Sequence, residues 1–303
     1  MDEKIAEVEL IPGLCLPRAA SRWHGLLSEL RDVPKIALVI VFALLLVALL
    51  APMLAPYGAN DGGLREKLLP PAFVTGGSMR HVLGTDTLGR DTLSRLILGA
   101  RISLVISTIA ILFAGAIGSA IGIVSGYFGG WVDRLLMMIT DIGLAMPLVL
   151  VAIVMAAALG ASFQNIIIVL MVLLWPRYAR QVRAEVLAIK EQDFVLAARV
   201  AGRSPLPIML HHIFPNVLPT LLVLATLQVG YVILLESSLS FLGVGVPPPQ
   251  PAWGVMVADG SGLIASAWWV SLWPGMAMLL TVLALNILGD WVRDRFDPKL
   301  RQL

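Results

Sequence analysis

Two carboxylates stand within long apolar stretches, Asp141 and Glu236, and a third, Asp290, lies at the end of another. A charge in hydrocarbon is costly and normally faces protein or a water-filled cavity. Glu236 opens the run ESSLSFLGVG, so Ser237, Ser238 and Ser240 follow closely. Glu236, Ser237 and Ser240 could line a path for a polar solute, or Glu236 could make a structural hydrogen bond; either role fits the sequence. Asp141 follows Arg134 on roughly the same helix face, and it either lines the same path or pairs within a bundle. Asp290 neighbours Arg293 and reads as interfacial. Covalent and metal chemistry find no footing. No Ser/His/Asp, Cys/His or zinc-type arrangement is present. The single Cys15 excludes an internal disulfide, and the four histidines form no ligand cluster. The glycine-rich phosphate loop ending in Gly-Lys-Ser/Thr is absent, since the dipeptide Gly-Lys never occurs. Any nucleotide-derived energy must then come from another subunit, and no metal or cofactor is expected on this chain.

A second set of residues could do mechanical rather than covalent work. Leu196 to Pro219 reads LAARVAGRSPLPIMLHHIFPNVLP, a moderately polar island between apolar runs. It carries Ala197, Ala198 and Gly202, then His211, His212, Phe214 and Pro215. Arg177, Arg180, Arg183, Lys190, Arg199 and Arg203 lie in it or just before it. Basic residues between membrane spans mark the cytoplasmic side, and small residues let another backbone approach closely. Together they suggest a docking surface for a soluble partner.

The elements that must position these groups are membrane helices. The chain is 58% hydrophobic and 14% charged, where a soluble domain is about a quarter charged. A net charge of +2 is too small to imply nucleic-acid binding. Residues 1–35 lack the parts of a signal peptide and read as a cytoplasmic tail, partly helical near Ser28 to Arg31. A bilayer needs roughly 20 residues of helix, and six runs qualify: 36–54, 102–124, about 135–159, about 163–175 with a polar continuation, about 220–242 and about 269–288. The expected fold is all-α and polytopic with six transmembrane helices. Its core of five helices spans 102–290 and includes a cytoplasmic loop over 177–215. Both termini and that loop are then cytoplasmic, and the tail 291–303, with Arg293, Arg295, Lys299 and Arg301, obeys the positive-inside bias.

Residues 55–101 lie outside in this topology. Asp86–Arg90 and Asp91–Arg95 have the i,i+4 order that supports a helix, which predicts an amphipathic helix on the outer membrane surface before the second span. Gly118, Gly122, Gly126 and Gly130 recur every fourth residue and predict close helix packing, static or sliding. Pro147 and Pro219 are expected to bend or break helices.

Three segments carry a family resemblance. HVLGTDTLGRDTLSRLILGARISL (81–104), DRLLMMITDIGLAMP (133–147) and LLESSLSFLGVGVPPPQPAWG (234–254) resemble the peptide/nickel group of ABC importer permeases, in particular the C-type permease of dipeptide and oligopeptide systems. That family's coupling loop reads Glu-Ala-Ala, three residues, Gly, nine residues, then Ile, any residue, Leu-Pro. Ala197, Ala198, Gly202 and Pro215 match it. Leu196 stands where the family has Glu, His212 where it has Ile, and Phe214 where it has Leu. The Leu196 departure removes a charge that could meet a base on the ATPase, and His211 and His212 read as contact residues. The resemblance implies the type I ABC importer permease architecture, in the bacterial cytoplasmic (inner) membrane. Its implied partners are a homologous B-type permease, two cytoplasmic ATPase subunits carrying ATP and magnesium, an extracytoplasmic solute-binding protein, and membrane lipid. It leaves the cargo open among dipeptides, longer peptides, glutathione-like compounds and nickel complexes. A stand-alone channel or proton-coupled carrier would need more buried charge than Asp141 and Glu236 supply, and an intramembrane enzyme would need a nucleophile with its base.

Overall fold

The structure, a computed structural model, describes residues 34–160 and 162–296. The expected tail over residues 1–35, with Cys15 and the helix near Ser28 to Arg31, falls almost wholly outside them, as do Lys299 and Arg301. Among the described residues the architecture is helical, with isolated bridge pairs and no strand. In order come α1 (Lys35–Leu49), α2 (Ala51–Leu54), α3 (Thr92–Phe128), α4 (Gly130–Ala145), α5 (Leu148–Leu159), α6 (Phe163–Ile189), α7 (Asp193–Val200) and α8 (Pro205–Ile208). A π turn over Met209–Ile213 leads into α9 (Phe214–Phe241), followed by α10 (Trp253–Ser261) and α11 (Trp269–Phe296).

Local sequence explains most boundaries. Asp91 caps α3 by accepting from the backbone N–H of Ser94 at 2.8 Å, which satisfies one of the orphan donors of the first turn. Gly129, at φ +65, ends it. Ser162 caps α6 through the N–H of Asn165, whose side-chain amide reaches back to the carbonyls of Leu159 and Gly160. That clamp makes the α5–α6 connection tight.

Three expectations need correction. The amphipathic surface helix is not a separate element: the helix starts at Thr92 and runs unbroken to Phe128. The Asp86–Arg90 spacing is that of a turn, in which Asp86 accepts from the N–H groups of Leu88 and Arg90. The run 135–159 is not one rod. It breaks at Met146–Pro147, and α4 meets α5 at 91°. Pro219 neither starts nor breaks a helix, because Pro205 to Phe241 is helical throughout. The π turn lies just before Pro215, which has no N–H to donate and whose ring crowds the preceding turn. Its widened backbone leaves room for that ring.

By length and composition, α3, the Pro205–Phe241 rod and Trp269–Arg295 can each cross a membrane, and the bent α4–α5 pair adds a fourth if counted as one span. Two of the six expected spans are less clear-cut. α1 has 15 residues and is prolonged only by the short α2. α6 is apolar from Ile166 to Trp175 but carries Arg177, Arg180 and Arg183 beyond it.

One apolar cluster joins Ile106, Ala110 and Ala114 of α3 to Val169, Leu170 and Leu174 of α6 and Val232 and Leu239 of α9. A second lies around the α6–α7 end, with Val182, Val186, Val195, Ile208, Ile213 and Val217. Within hydrocarbon such contacts stabilise by close packing, since lipid tails are as apolar as the core.

The segment before α3 and the first turns of α3 are tied to later parts of the chain. Trp269 Nε1 donates to the Thr85 carbonyl (3.0 Å) and Trp253 Nε1 to the Leu96 carbonyl (2.9 Å). Leu88, 51% exposed there, suits a topology test, whereas Thr92 is buried. In a Cys15→Ala background, Leu88→Cys is expected to react with an impermeant thiol reagent applied to intact spheroplasts. Labelling only after lysis would invert the topology.

Candidate functional site

The docking segment is built from a short helix standing on a long one. Val195 and Ala198 of α7 are buried, packed in one cluster with Val186 and Ile189 of α6 and Ile208 and Ile213 beyond. That leaves the opposite side of the segment uncovered. Leu196, Ala197, Val200, Gly202, Leu206 and Leu210 are exposed, Val200 to 90%. Ala198 is therefore a packing residue of this chain, while Leu196, Ala197 and Gly202 face outward.

Gly202 has a reason beyond smallness. Its φ is +73, and the backbone around it closes α7: Ala201 N–H donates to the Ala197 carbonyl, Gly202 N–H to Arg199 and Arg203 N–H to Ala198. This is the left-handed helix ending that glycine adopts without strain. Beyond its chain neighbours, no atom of the described residues lies within 4 Å of where its Cβ would be. His212 sits 3.3 Å (Nε2) from Arg203 Nη1 and beside the Phe194 ring, and His211 Nδ1 lies 3.2 Å from the Pro207 carbonyl. Phe214 and Pro215 are exposed at the start of α9.

The segment is anchored to the bundle through α6. A Cβ on Gly118 would lie 2.5 Å from the Trp175 carbonyl oxygen, on Gly122 2.6 Å from that of Ala179, and on Gly126 2.8 Å from Val186 Cβ. Hydrogen-only positions thus let α3 and α6 touch backbone to backbone. Gly130 is not part of that contact; it has φ +58, and a Cβ there would meet nothing from the rest of the described residues within 4 Å. Lys190 Nζ donates to the Gly126 carbonyl at 3.0 Å, tying the end of α6 to the end of α3.

Charged residues collect where α4 crosses α6. Arg183 makes a two-pronged pair with Asp133, Nε to Oδ1 and Nη2 to Oδ2 at 2.6 Å each. Ser125 of α3 donates to the same carboxylate. Arg180 pairs with Asp141, and both side chains are well exposed. Arg177 Nη2 donates to Tyr231 Oη of α9 at 3.1 Å, with its guanidinium 4.4 Å above the Tyr231 ring. Asp141 therefore pairs across helices, not with Arg134 on its own. In the sequence, Arg177, Arg180 and Arg183 register only as cytoplasmic bias; their i,i+3 spacing is the signal of a single face.

Glu236 is placed differently from a water-facing group. Its side chain is 1% exposed, with Oε1 accepting from Ser240 Oγ at 2.7 Å and Oε2 without a partner among the described residues. Ser237 Oγ donates to the Ile233 carbonyl and is part-buried against Met278. In this conformation Glu236 and Ser240 are interior groups of this chain and do not line an open path. Glu236→Gln, which keeps the size and the acceptor, is expected to leave the amount of folded protein within twofold of wild type. Glu236→Ala is expected to lower it severalfold, because Ser240 loses its acceptor and the shortened side chain leaves a void. Immunoblots of membranes check this, and equal levels for both variants would remove the anchor role.

A fourth group emerges only in three dimensions. Arg90 Nε lies 2.6 Å and Arg95 Nε 3.6 Å from Asp86 Oδ2, and both guanidinium groups approach Asp259 of α10. Arg90, Arg95 and Asp86 are buried. Burial pushes the Asp259 carboxyl above its ordinary range, and Arg95 and Arg90 oppose that rise. Nothing in the sequence around Asp259 marks it as the partner of a segment so far upstream.

Comparison with known proteins follows the same outline. The family described as binding-protein-dependent transport system inner membrane component matches residues 118–302. The N-terminal transmembrane domain of oligopeptide transport permease C matches residues 35–71. The chain is 45% identical over 267 residues to the dipeptide transport system permease protein DppC of Escherichia coli, covering 88% of this chain and 89% of that one. It is 42% identical over 264 residues to the di/tripeptide transport system permease protein DppC of Pseudomonas aeruginosa (86% and 87% covered). Over 285 residues it is 37% identical to the dipeptide transport system permease protein DppC of Alkalihalophilus pseudofirmus (93% and 92%). Its backbone is similar to a chain of the inward-facing MetNI methionine ABC transporter, with TM-score 0.56 and 21% identity over 66% of this chain and 95% of that chain. That likeness concerns the fold.

Proposed function

Because the chain belongs to the family of binding-protein-dependent transport system inner membrane components, we propose that it is one of two permease subunits of an ATP-driven importer of peptides. The observation that carries this is the exposed apolar side of Leu196 to Leu210 joined, through an unbroken helix, to the span that ends at Phe241. A soluble ATPase subunit covers that side. Its closure on ATP moves the segment, and the bundle shifts between two states whose balance nucleotide binding sets. A B-type permease covers the exposed faces of the spans, and a solute-binding protein delivers cargo from outside. ATP and magnesium reside on the ATPase subunits, and the chain itself catalyses nothing. The membrane is the bacterial inner membrane, with the Leu196 segment cytoplasmic. Dipeptides are the cargo that the named relatives favour.

Reconstitution tests this. Vesicles holding this chain with its B-type permease and ATPase subunits are expected to take up a labelled dipeptide only when both ATP and the binding protein are present. Vesicles holding this chain alone are expected to show neither uptake nor ATP hydrolysis. Uptake by the chain alone would favour a stand-alone channel or carrier.

A further inference from the structure

Arg177 is the cation of this chain whose position demands an explanation. Helix α6 is apolar from Ile166 to Trp175. Counted from Ile166 at ~1.5 Å per residue, Arg177 lies ~17 Å along α6 and Arg180 ~21 Å. A hydrocarbon core is ~30 Å thick, so both guanidinium groups fall within its depth, while Arg183 approaches its far edge. Both are exposed on the surface of this chain. An exposed charge at that depth cannot face lipid and instead faces water or a partner group.

The three arginines differ in what neutralises them. Arg183 is matched by Asp133 through two hydrogen bonds, and Arg180 by Asp141. Arg177 meets only the phenol of Tyr231, and among the described residues no carboxylate pairs with it. Stacking on Tyr231 at 4.4 Å fixes the guanidinium plane and uses one donor. A guanidinium has five donors in a rigid fork that fits a carboxylate, so most of the fork remains open. Three residues on along α6, Arg180 holds Asp141, whose side chain is exposed.

We infer that Arg177, held on Tyr231, binds the free carboxylate of the transported solute midway through the membrane, with Asp141 for the solute's ammonium group. The inference rests on the importer reading and adds the recognition chemistry: the cargo enters as a zwitterion. Arg183 and Asp133 satisfy each other and are structural.

The test uses the complete importer in vesicles, with alanyl-alanine and alanyl-alanine amide as cargo. Arg177→Gln is expected to lower uptake of the free acid about tenfold, the size of one lost charge-assisted pair, and to change uptake of the amide less than twofold. The binding protein's own preference cancels when each cargo is compared with wild type. In a Cys15→Ala background, Arg177→Cys is expected to regain uptake of the free acid after treatment with aminoethyl methanethiosulfonate, which restores a positive charge, and not after sulfonatoethyl methanethiosulfonate. Equal losses for acid and amide, or rescue by both reagents, would overturn the inference and make Arg177 structural. A wild-type complex that hydrolyses ATP yet carries neither cargo would overturn the peptide reading and the inference with it. One that carries both equally well, before and after Arg177→Gln, would overturn only the inference.

Discussion

Val200→Glu is expected to abolish transport while leaving the chain folded in the membrane. Val200 is 90% exposed and caps the uncovered side of α7, so the substitution removes little from this chain's own packing. Glutamate is a good helix former, and its misfit with the helix C-terminus amounts to a few tenths of a kcal/mol. If an ATPase subunit covers Val200, a carboxylate buried there without a partner costs about 3–5 kcal/mol, more than a hundredfold in affinity. ATP hydrolysis by the complex should then lose its response to cargo, and the subunits should separate on purification. Val200→Ala, which keeps the surface apolar, is expected to retain most of the activity. Gly202→Trp is a less clean probe, because φ +73 strains any side chain there. Normal uptake by Val200→Glu would show that this face docks nothing.

Gly118→Val is expected to have the opposite character, removing the folded chain itself. The new Cβ would meet the Trp175 carbonyl at 2.5 Å, Tyr178 Cβ at 2.6 Å and Ala179 N at 3.0 Å. Two of those atoms are backbone, so no rotamer change relieves the clash and α3 must move off α6. Overpacking of this kind costs about 1–3 kcal/mol and sometimes more, against a total stability of about 5–15 kcal/mol. The amount of protease-resistant chain in membranes should fall at least severalfold. Gly262→Ala is the control, with nothing within 4 Å of the added methyl. Wild-type levels of Gly118→Val would mean that the α3–α6 contact is not tight.

What the sequence discloses here is whatever repeats over short distances. Apolar runs, the caps at Asp91 and Ser162, and the glycine stripe are all local signals, and the helices follow them. Pro147 marks a bend, but its 91° turn depends on how α4 lies across α6. The outer segment misleads because Asp86–Arg90 has helical spacing by coincidence. The pair closes a turn, and its remaining partner, Asp259, comes from another helix near the end of the chain. Glu236 is ambiguous in the sequence for a related reason: a carboxylate among serines fits a wet path or an interior hydrogen bond equally, and its 1% exposure is a property of the fold around it. Ala198 and Ala197 are indistinguishable in the sequence, and only the packing of α7 sends one inward and the other out.

The continuity of Pro205 to Phe241 sets a geometric condition on any motion. Thirty-seven residues of helix make a strut ~55 Å long, longer than the ~30 Å of hydrocarbon it crosses. Its buried positions lie toward the two ends, Ile208 to Val217 and Gly230 to Ser240, with none between them. A stiff helix held at both ends carries a push from one to the other. Displacing the Pro205 end therefore loads the packing around Phe241 directly, and no relay of side-chain rearrangements is needed to couple the two.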